Sequence, residues 1–178
     1  NSATPLLARN PCEIGKLIYV LQTDHSNWRS VAEAIRRCGK DASLINFDGI
    51  YKLPRKSVLV VPGVGHMQYF QKQMSRALSL ENFTLFIEFM EIRLMGICLG
   101  FQLLSKMTYE GGALKCMSVF DFEVEPLFST LKPSVGWKTI LVNGRNGSIG
   151  KSLVDLLNRS PFYFTHSYGV LDMSFLPT

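Results

Sequence analysis

The sequence predicts an α/β fold, with a largely parallel sheet flanked by helices and an antiparallel extension. Short apolar runs alternate with stretches of helical periodicity through the first hundred residues, which is typical of parallel strands joined by crossover helices. Beyond Gly111-Gly112 the sequence pattern changes: apolar and acidic residues alternate, as in a half-buried antiparallel strand. A composition of 47% apolar and 19% charged residues is that of a folded domain with a real core.

The apolar spacing predicts each element of the first hundred residues. The predicted strands are 17–21, 42–46, 58–61 and a run ending at Ile97, and the predicted helices are 27–38, a stretch starting at Met67, 81–90 and 101–107. In the first helix, Val31, Ala34, Ile35 and Cys38 share a face, and Gly39 stands at the position of a C-cap glycine. In the second, Met67, Phe70, Met74 and Leu78 recur at helical spacing.

The remaining chain predicts strands at 119–124, 138–142 and 162–165 and a short helix at 151–158. Ligands of such folds bind at the carboxyl ends of the parallel strands. Both the turn at 62–65 and Cys98 are expected at that edge.

The bulk properties restrict the class of protein. At 178 residues we expect one domain at 16–178 behind a loose N-terminal tail at 1–15. No uncharged apolar stretch approaches the ~18 residues of a membrane span, and the N-terminus lacks a signal-peptide layout. The net charge of +5 is spread out, which favours a solvated face or an anionic-ligand rim over a nucleic-acid groove.

Four cysteines without a Cys-x-x-Cys pair, and without histidine at metal-ligand spacing, indicate a reduced, cytoplasmic protein. We expect no structural zinc and no cofactor.

The most informative segment is Gly96-Ile97-Cys98-Leu99-Gly100. Glycines on both sides of the cysteine allow a sharp strand-to-helix turn that a Cβ would crowd, which is the layout of a nucleophile elbow. A cysteine at a helix N-terminus is expected to have its reactive thiolate favoured by the helix dipole. The alternative interpretation is a buried structural cysteine beside two turn glycines.

Four motifs in order make the chain resemble the class I glutamine amidotransferases, and among them the glutaminase subunits of imidazole glycerol phosphate synthase. The motifs are Pro-Gly-Val-Gly at 62–65, the segment 95–104 around Cys98, Gly-Trp at 136–137 and Tyr-Phe-Thr-His-Ser-Tyr at 163–168. The resemblance runs from about residue 17 to 170. It implies a class I glutamine amidotransferase-like fold and a role in histidine biosynthesis.

The resemblance also implies residue roles. Cys98 would attack the side-chain amide of glutamine to form a glutamyl thioester, and backbone N–H groups of Gly63, Val64, Gly65 and Leu99 would form the oxyanion hole. The implied substrate-binding residues are Gln102, Ser167 and Tyr168. The implied partner is a (β/α)8-barrel cyclase or synthase subunit that receives ammonia in a heterodimer, with Trp137 and Tyr163 at the interface.

Plainer interpretations remain for several of these residues. The turn at 62–65 could be structural only, Gln102 could be a solvated helix residue, and Trp137 could plug the core. For His166 the non-catalytic interpretation is preferred, since the histidine of this motif is not the base in the family.

The resemblance breaks at the catalytic base. The family takes its base and orienting carboxylate from a His-Pro-Glu segment near the C-terminus, whereas this sequence has only His25, His66 and His166, none followed by proline. Three explanations stand: the sequence is an incomplete product, a partner supplies the base, or the protein is a degenerate inactive relative. The sequence therefore predicts weak or no glutamine hydrolysis by these 178 residues.

Other departures keep further functions open. Gln22-Thr23-Asp24-His25-Ser26-Asn27 occupies the place of the family's Asp-Tyr-Gly-x-Gly-Asn turn, and Lys138 follows Gly-Trp where asparagine is common. These changes leave room for a paralogue that feeds another acceptor, such as a surface-sugar precursor, or for a non-catalytic scaffold. A cysteine hydrolase with a related elbow is a weaker alternative, because the matches at Gln102 and 166–168 argue against it.

Overall fold

The architecture is taken from a computed structural model, in which residues 17–24, 26–128, 132–140 and 151–171 are described, without the side chains of 151 and 152. The predicted N-terminal tail, Cys12 and His25 lie outside the described residues. In chain order the elements are β1 (Ile18–Leu21), α1 (Trp28–Arg37), β2 (Ala42–Ile45), a 3₁₀ helix (Phe47–Lys52), β3 (Val58–Val61), α2 (Met67–Ser75), α3 (Leu80–Phe89), β4 (Arg93–Gly96), α4 (Leu99–Leu103), β5 (Met107–Thr108), β6 (Leu114–Lys115), β7 (Glu123–Pro126), β8 (Ser134–Thr139), α5 (Lys151–Arg159), β9 (Pro161–His166) and β10 (Tyr168–Gly169).

A four-stranded parallel sheet in the order β2-β1-β3-β4 forms the centre of the fold. The residues of β1 and β3 are mostly buried, because strands covered on both faces by crossover helices must be apolar throughout. The predicted α/β class and the predicted order of elements up to Cys98 are confirmed.

Helix α1 has different buried residues from those predicted. Its innermost side chain is Ala32, with Val31 and Ile35 partly buried beside it, whereas Ala34 and Cys38 are exposed. The buried stripe is therefore rotated by part of a turn from the predicted one, and it faces β1 and β2. Its predicted end is right: Gly39, at φ 74°, follows the C-cap and donates its N–H to the Arg36 carbonyl.

The larger core cluster lies under α2 and α3. The predicted α2 residues Met67, Phe70, Met74 and Leu78 are all buried in it. An unpredicted 3₁₀ helix between β2 and β3 adds Phe47 and Ile50, which are also buried. Because Phe47 packs edge-on against Phe70, this short connection ties the end of β2 to α2.

Helix α4 is shorter than predicted. It ends at Leu103 instead of continuing to Met107, because Met107 and Thr108 are paired in β5 between β6 and β7. The apolar spacing of the segment is the same in either case. Long-range strand pairing decided its conformation.

The second sheet has the order β10-β7-β5-β6 and is mixed. The predicted strand at 119–124 is displaced to β7, which begins at Glu123. The expected antiparallel pairing is half right, since β7 is antiparallel to β10 but parallel to β5. The predicted alternation in burial is present, with Phe122 and Val124 buried between more exposed acidic residues.

Strands β8 and β9 form a separate antiparallel pair with α5 beside β8. The strand predicted at 138–142 begins earlier, at Ser134, and residues 141–150 lie outside the described part of the chain. The predicted strand at 162–165 and helix at 151–158 are confirmed. Within the described residues, no helix combines the length and apolarity that crossing a membrane requires.

Candidate active site

Cys98 occupies the turn between β4 and α4, where the glycine spacing predicts it. It is the residue before the first turn of α4, and its backbone has φ 54° and ψ −109°. A positive φ in a residue with a Cβ costs free energy and persists only where the surroundings enforce it. The turn therefore presents the Cys98 side chain at the carboxyl edge of the parallel sheet.

Three glycines allow the chain to close around this turn. A Cβ on Gly100 would lie 1.8 Å from the Val61 carbonyl oxygen, and one on Gly96 would lie 2.3 Å from the Gly100 carbonyl oxygen. A Cβ on Gly63 would lie 2.4 Å from the Leu99 Cβ. Backbone atoms cannot give way as a flexible side chain can, so the first turn of α4 is seated directly on the ends of β3 and β4.

A cavity of about 450 Å³ opens beside the elbow. All four residues predicted for the oxyanion hole, namely Gly63, Val64, Gly65 and Leu99, line it. Gly65 has φ 100°, a conformation that suits glycine. The structure thus brings the turn after β3 and the first residue of α4 to one cavity, although the role of their N–H groups stays a prediction.

The electrostatics of Cys98 differ from the expectation. Burial raises the pKa of the Cys98 thiol, a hydrogen bond from the Leu99 N–H lowers it, and the nearby Glu110 carboxylate raises it again, with a net increase. Cys98 as a residue is exposed, so the burial that raises its pKa is the partial covering of the sulfur by its neighbours. At neutral pH the resting thiol is therefore mostly protonated. The stabilisation of the thiolate by the helix dipole stays a prediction.

Gln102 is buried, with 8% of its surface exposed, so it is not a solvated helix residue. Its Nε2 donates to the Glu110 carboxylate at 2.6 Å, and its Oε1 accepts from the Thr108 hydroxyl at 2.7 Å. Since Gln102 N–H bonds to the Cys98 carbonyl, the amide lies one helical turn beyond the nucleophile. Its predicted role in substrate binding is untested by this geometry.

The second sheet brings Ser167 and Tyr168 toward the same edge as Glu110. Tyr168 is opposite Pro126 in β7, and the Leu127 N–H donates to the Ser167 carbonyl at 3.0 Å. Because β7 runs parallel to β5, these contacts lie at the end of the sheet at which β5 leads into Glu110. Only β7 separates the two segments, a distance of roughly 10 Å across two strand spacings.

Trp137 and Tyr163 are directly opposite each other in β8 and β9. Their rings meet edge-on with centroids 5.6 Å apart, and they are 71% and 57% exposed. Trp137 therefore does not plug the core. Exposure of the rings is one part of what the partner-surface hypothesis requires; their position beside Cys98 and the interface role itself stay predictions.

The two described histidines lie in different places. His66 lines the cavity, where it is exposed and its ring centroid lies 6.2 Å from that of Tyr69. His166 ends β9 opposite Ser134. The described residues contain no group of three metal-ligating side chains.

Glu110 and Thr108 are the site residues that the sequence reasoning missed. Both residues follow α4 and belong to none of the motifs recognised in the sequence. Glu110 directly precedes a glycine pair, which by itself predicts only a turn. The local signal for Glu110 is its position at the end of a short strand, directly before that turn. Its proximity to Cys98 depends on how β5 packs on α4.

A cysteine at a strand-to-helix turn of a parallel α/β sheet, with a cavity beside the turn, has the layout of a nucleophile elbow. The sequence matches the family described as Glutamine amidotransferase class-I over residues 19–178. The chain therefore belongs to the class I glutamine amidotransferases.

Two relatives and one solved structure show in more detail which proteins this chain resembles. The chain is 32% identical over 155 residues to "Imidazole glycerol phosphate synthase subunit HisH 1" of Parasynechococcus marenigrum, covering 83% of this chain and 70% of that protein. It is 30% identical over 155 residues to the HisH subunit of Buchnera aphidicola subsp. Melaphis rhois, covering 86% and 84%. A solved structure titled "Crystal structure of glutamine amidotransferase" shares the fold, with a TM-score of 0.62 at 18% identity over 89% of this chain and 76% of that one.

Proposed function

We propose that this chain is the glutaminase subunit of an ammonia-transferring synthase, and that it serves histidine biosynthesis in the cytoplasm. The observation that carries the proposal is Cys98, held at a strained strand-to-helix turn beside a cavity lined by Gly63–Gly65 and Leu99. Two relatives at about 30% identity are named as subunits of imidazole glycerol phosphate synthase. Their names support histidine biosynthesis as the pathway that uses the ammonia.

The proposed reaction is acyl transfer through Cys98. The sulfur attacks the side-chain amide carbon of glutamine, the C–N bond breaks and ammonia leaves, and water then hydrolyses the thioester to glutamate. The N–H groups of Val64, Gly65 and Leu99 are suited to stabilise the oxygen that becomes negative during attack. The Glu110 carboxylate, close to Cys98, offers a partner for the α-ammonium group of the substrate.

The proton of Cys98 needs an acceptor for this reaction. Burial and Glu110 hold the thiol pKa above its ordinary value, and the 178 residues contain no His-Pro-Glu segment. We therefore expect this chain alone to turn glutamine over far below the ~10 s⁻¹ of a median enzyme. Turnover near that value would point to His66 or His166 as the base, to be tested by alanine substitution of each.

The partner is proposed to be a (β/α)8-barrel cyclase or synthase subunit docked on the exposed pair Trp137 and Tyr163. Exposed aromatic rings supply large apolar area with one polar atom, which is what interface anchors need. Ammonia released at Cys98 would pass to that subunit.

The test of the proposed function is covalent labelling. A glutamine-analogue electrophile added to the whole chain, followed by peptide mass mapping, should modify Cys98 and be blocked by excess glutamine. Labelling at Cys38 or Cys116, or labelling that glutamine does not block, would contradict the proposal.

A second function, that of a non-catalytic scaffold of the same family, is favoured by the raised pKa of the Cys98 thiol. It predicts normal binding to the barrel subunit with no labelling of Cys98. Labelling of Cys98 and binding of the barrel subunit, measured on the same chain, therefore separate the two functions.

A further inference from the structure

Gln102 and Glu110 of the candidate site belong to a chain of hydrogen bonds with Thr108, a residue to which the proposed reaction gives no role. The Thr108 hydroxyl donates to Gln102 Oε1 at 2.7 Å, and Gln102 Nε2 donates to Glu110 Oε2 at 2.6 Å. The same Thr108 oxygen accepts the Glu110 backbone N–H at 3.3 Å. Thr108 thus contacts Glu110 in two ways. It accepts the backbone N–H of Glu110 directly, and it contacts the Glu110 carboxylate indirectly through the amide of Gln102.

The direction of these bonds is set by Glu110. A threonine hydroxyl can donate or accept, but a carboxylate can only accept. The NH₂ group of Gln102 must therefore face Glu110, and its Oε1 is left to accept the Thr108 hydroxyl. With the opposite amide orientation, Oε1 would face a carboxylate, and two acceptors would meet without a proton between them.

The network is buried at its fixed end and open at its charged end. Thr108 is fully buried and Gln102 is 8% exposed, whereas Glu110 is half-buried, and its charge contributes to raising the pKa of the Cys98 thiol. A buried amide that loses a partner cannot replace it with water, so the orientation is strongly enforced. The carboxylate at the open end is the part that a ligand can reach.

We propose that Thr108 is a positioning residue of the glutaminase site: its hydroxyl holds the Gln102 amide and the Glu110 backbone, and thereby keeps the Glu110 carboxylate on Gln102 Nε2, one helical turn beyond Cys98. The inference rests on the proposed function for the identity of the ligand, glutamine. It adds a residue and a chain of contacts to that function. Among the described groups, Glu110 is the charged side chain that acts on the Cys98 sulfur, and the Leu99 N–H is the other polar group.

The proposal has two consequences. Removal of the Thr108 hydroxyl should let Glu110 move away from Cys98, so the pH at which Cys98 becomes reactive should fall. It should also weaken the binding of glutamine, because the carboxylate proposed to meet the α-ammonium group is no longer held.

The experiment uses the whole chain and compares Thr108→Val, Thr108→Ser, Glu110→Gln and Thr84→Val with the unmodified protein. The first readout is the rate of Cys98 alkylation by iodoacetamide as a function of pH, followed by peptide mass mapping. The second is the glutamine concentration that halves this rate at fixed pH, which requires no turnover. Thr84→Val is the matched control, because it removes a partly buried threonine hydroxyl that bonds only the Leu80 carbonyl of α3.

We expect Thr108→Val to shift the alkylation profile to lower pH, in the direction of Glu110→Gln. The half-protecting glutamine concentration should rise about tenfold, the effect of one lost hydrogen bond to a charged group. Thr108→Ser keeps the hydroxyl and should match the unmodified protein, as should Thr84→Val. If Thr108→Val does not fold, Thr108→Ala carries the same expectation.

Two results would overturn the proposal. One is a Thr108→Val profile and half-protecting concentration equal to those of the unmodified protein. The other is Thr108→Ser behaving like Thr108→Val. If glutamine fails to protect the unmodified protein, the proposed function loses its support, while the alkylation profiles still decide whether Thr108 positions Glu110.

Discussion

The elbow at Cys98 and the strand pair β8–β9 are built in opposite ways. At the elbow, Gly100 has the Val61 carbonyl so close that a Cβ would lie 1.8 Å from its oxygen, whereas Gly136 in β8 has nothing within 4 Å of a Cβ. Around Cys98 the neighbouring residues Leu99 and Gly100 are buried, but Trp137 and Tyr163 are 71% and 57% exposed. Reaction geometry depends on backbone atoms held by close packing, while recognition of another protein depends on side chains left uncovered.

The largest expected effect concerns the nucleophile. Cys98→Ser should remove labelling by a glutamine-analogue electrophile completely, because a serine hydroxyl is far less nucleophilic than a cysteine thiolate near neutral pH. Intact-mass measurement after labelling checks this. Cys38→Ser, which changes an exposed cysteine, should label as the unmodified chain does; equal loss in both variants would contradict the assignment.

The next largest effect is on stability, where alanine at Gly100 and alanine at Gly136 should differ in cost. Gly100→Ala should lower the free energy of unfolding by about 3 kcal/mol or more, because its methyl group collides with a backbone carbonyl that cannot move independently. Gly136→Ala should cost less, about 1–3 kcal/mol, because only its backbone φ of 136° is unfavourable and no atom stands within 4 Å of the added methyl group. Urea denaturation measures both, and equal costs would break the contrast between the two regions.

The exposed rings should matter for association and hardly for folding. Trp137→Ala should weaken binding to the proposed (β/α)8-barrel cyclase partner by about 2 kcal/mol, roughly 30-fold, as for an interface anchor. Its unfolding free energy should stay within about 0.5 kcal/mol. Isothermal titration calorimetry and urea denaturation give the two values.

The matched control for Trp137→Ala is Phe89→Ala, which removes an equally exposed ring at the end of α3. It should leave binding of the cyclase unchanged. Similar weakening by both variants would show that the β8–β9 surface is not the interface.

The smallest effect is the pH dependence of Cys98. Because burial and Glu110 raise the pKa of its thiol, a smaller fraction is thiolate at neutral pH than in an unstructured cysteine peptide. Iodoacetamide should therefore react with Cys98 more slowly than with the peptide below the pKa, and the two rates should converge at alkaline pH. A Cys98 profile displaced to lower pH than the peptide would contradict the assigned surroundings of the sulfur.

The sequence predicted the parallel sheet and the elbow because both follow from local patterns. Apolar runs such as 58–61 can be buried on both faces only in a sheet covered by helices, and glycines on both sides of Cys98 permit the turn. The end of α4 could not be predicted in this way. Met107 continues the helical spacing, and only its pairing with Lys115 and Glu123 makes it part of a strand.

The sequence by itself determined the fold class, the position of Cys98 and the cavity residues at 63–65, since each depends on residues close together in the chain. The tertiary structure alone decided the partners of Gln102, the place of Glu110 near the thiol and the direction in which the Cys98 pKa moves. These properties depend on how β5 packs against α4 and on how much water that packing removes from the sulfur. Burial and charge are set by residues distant in sequence, and no local pattern records them.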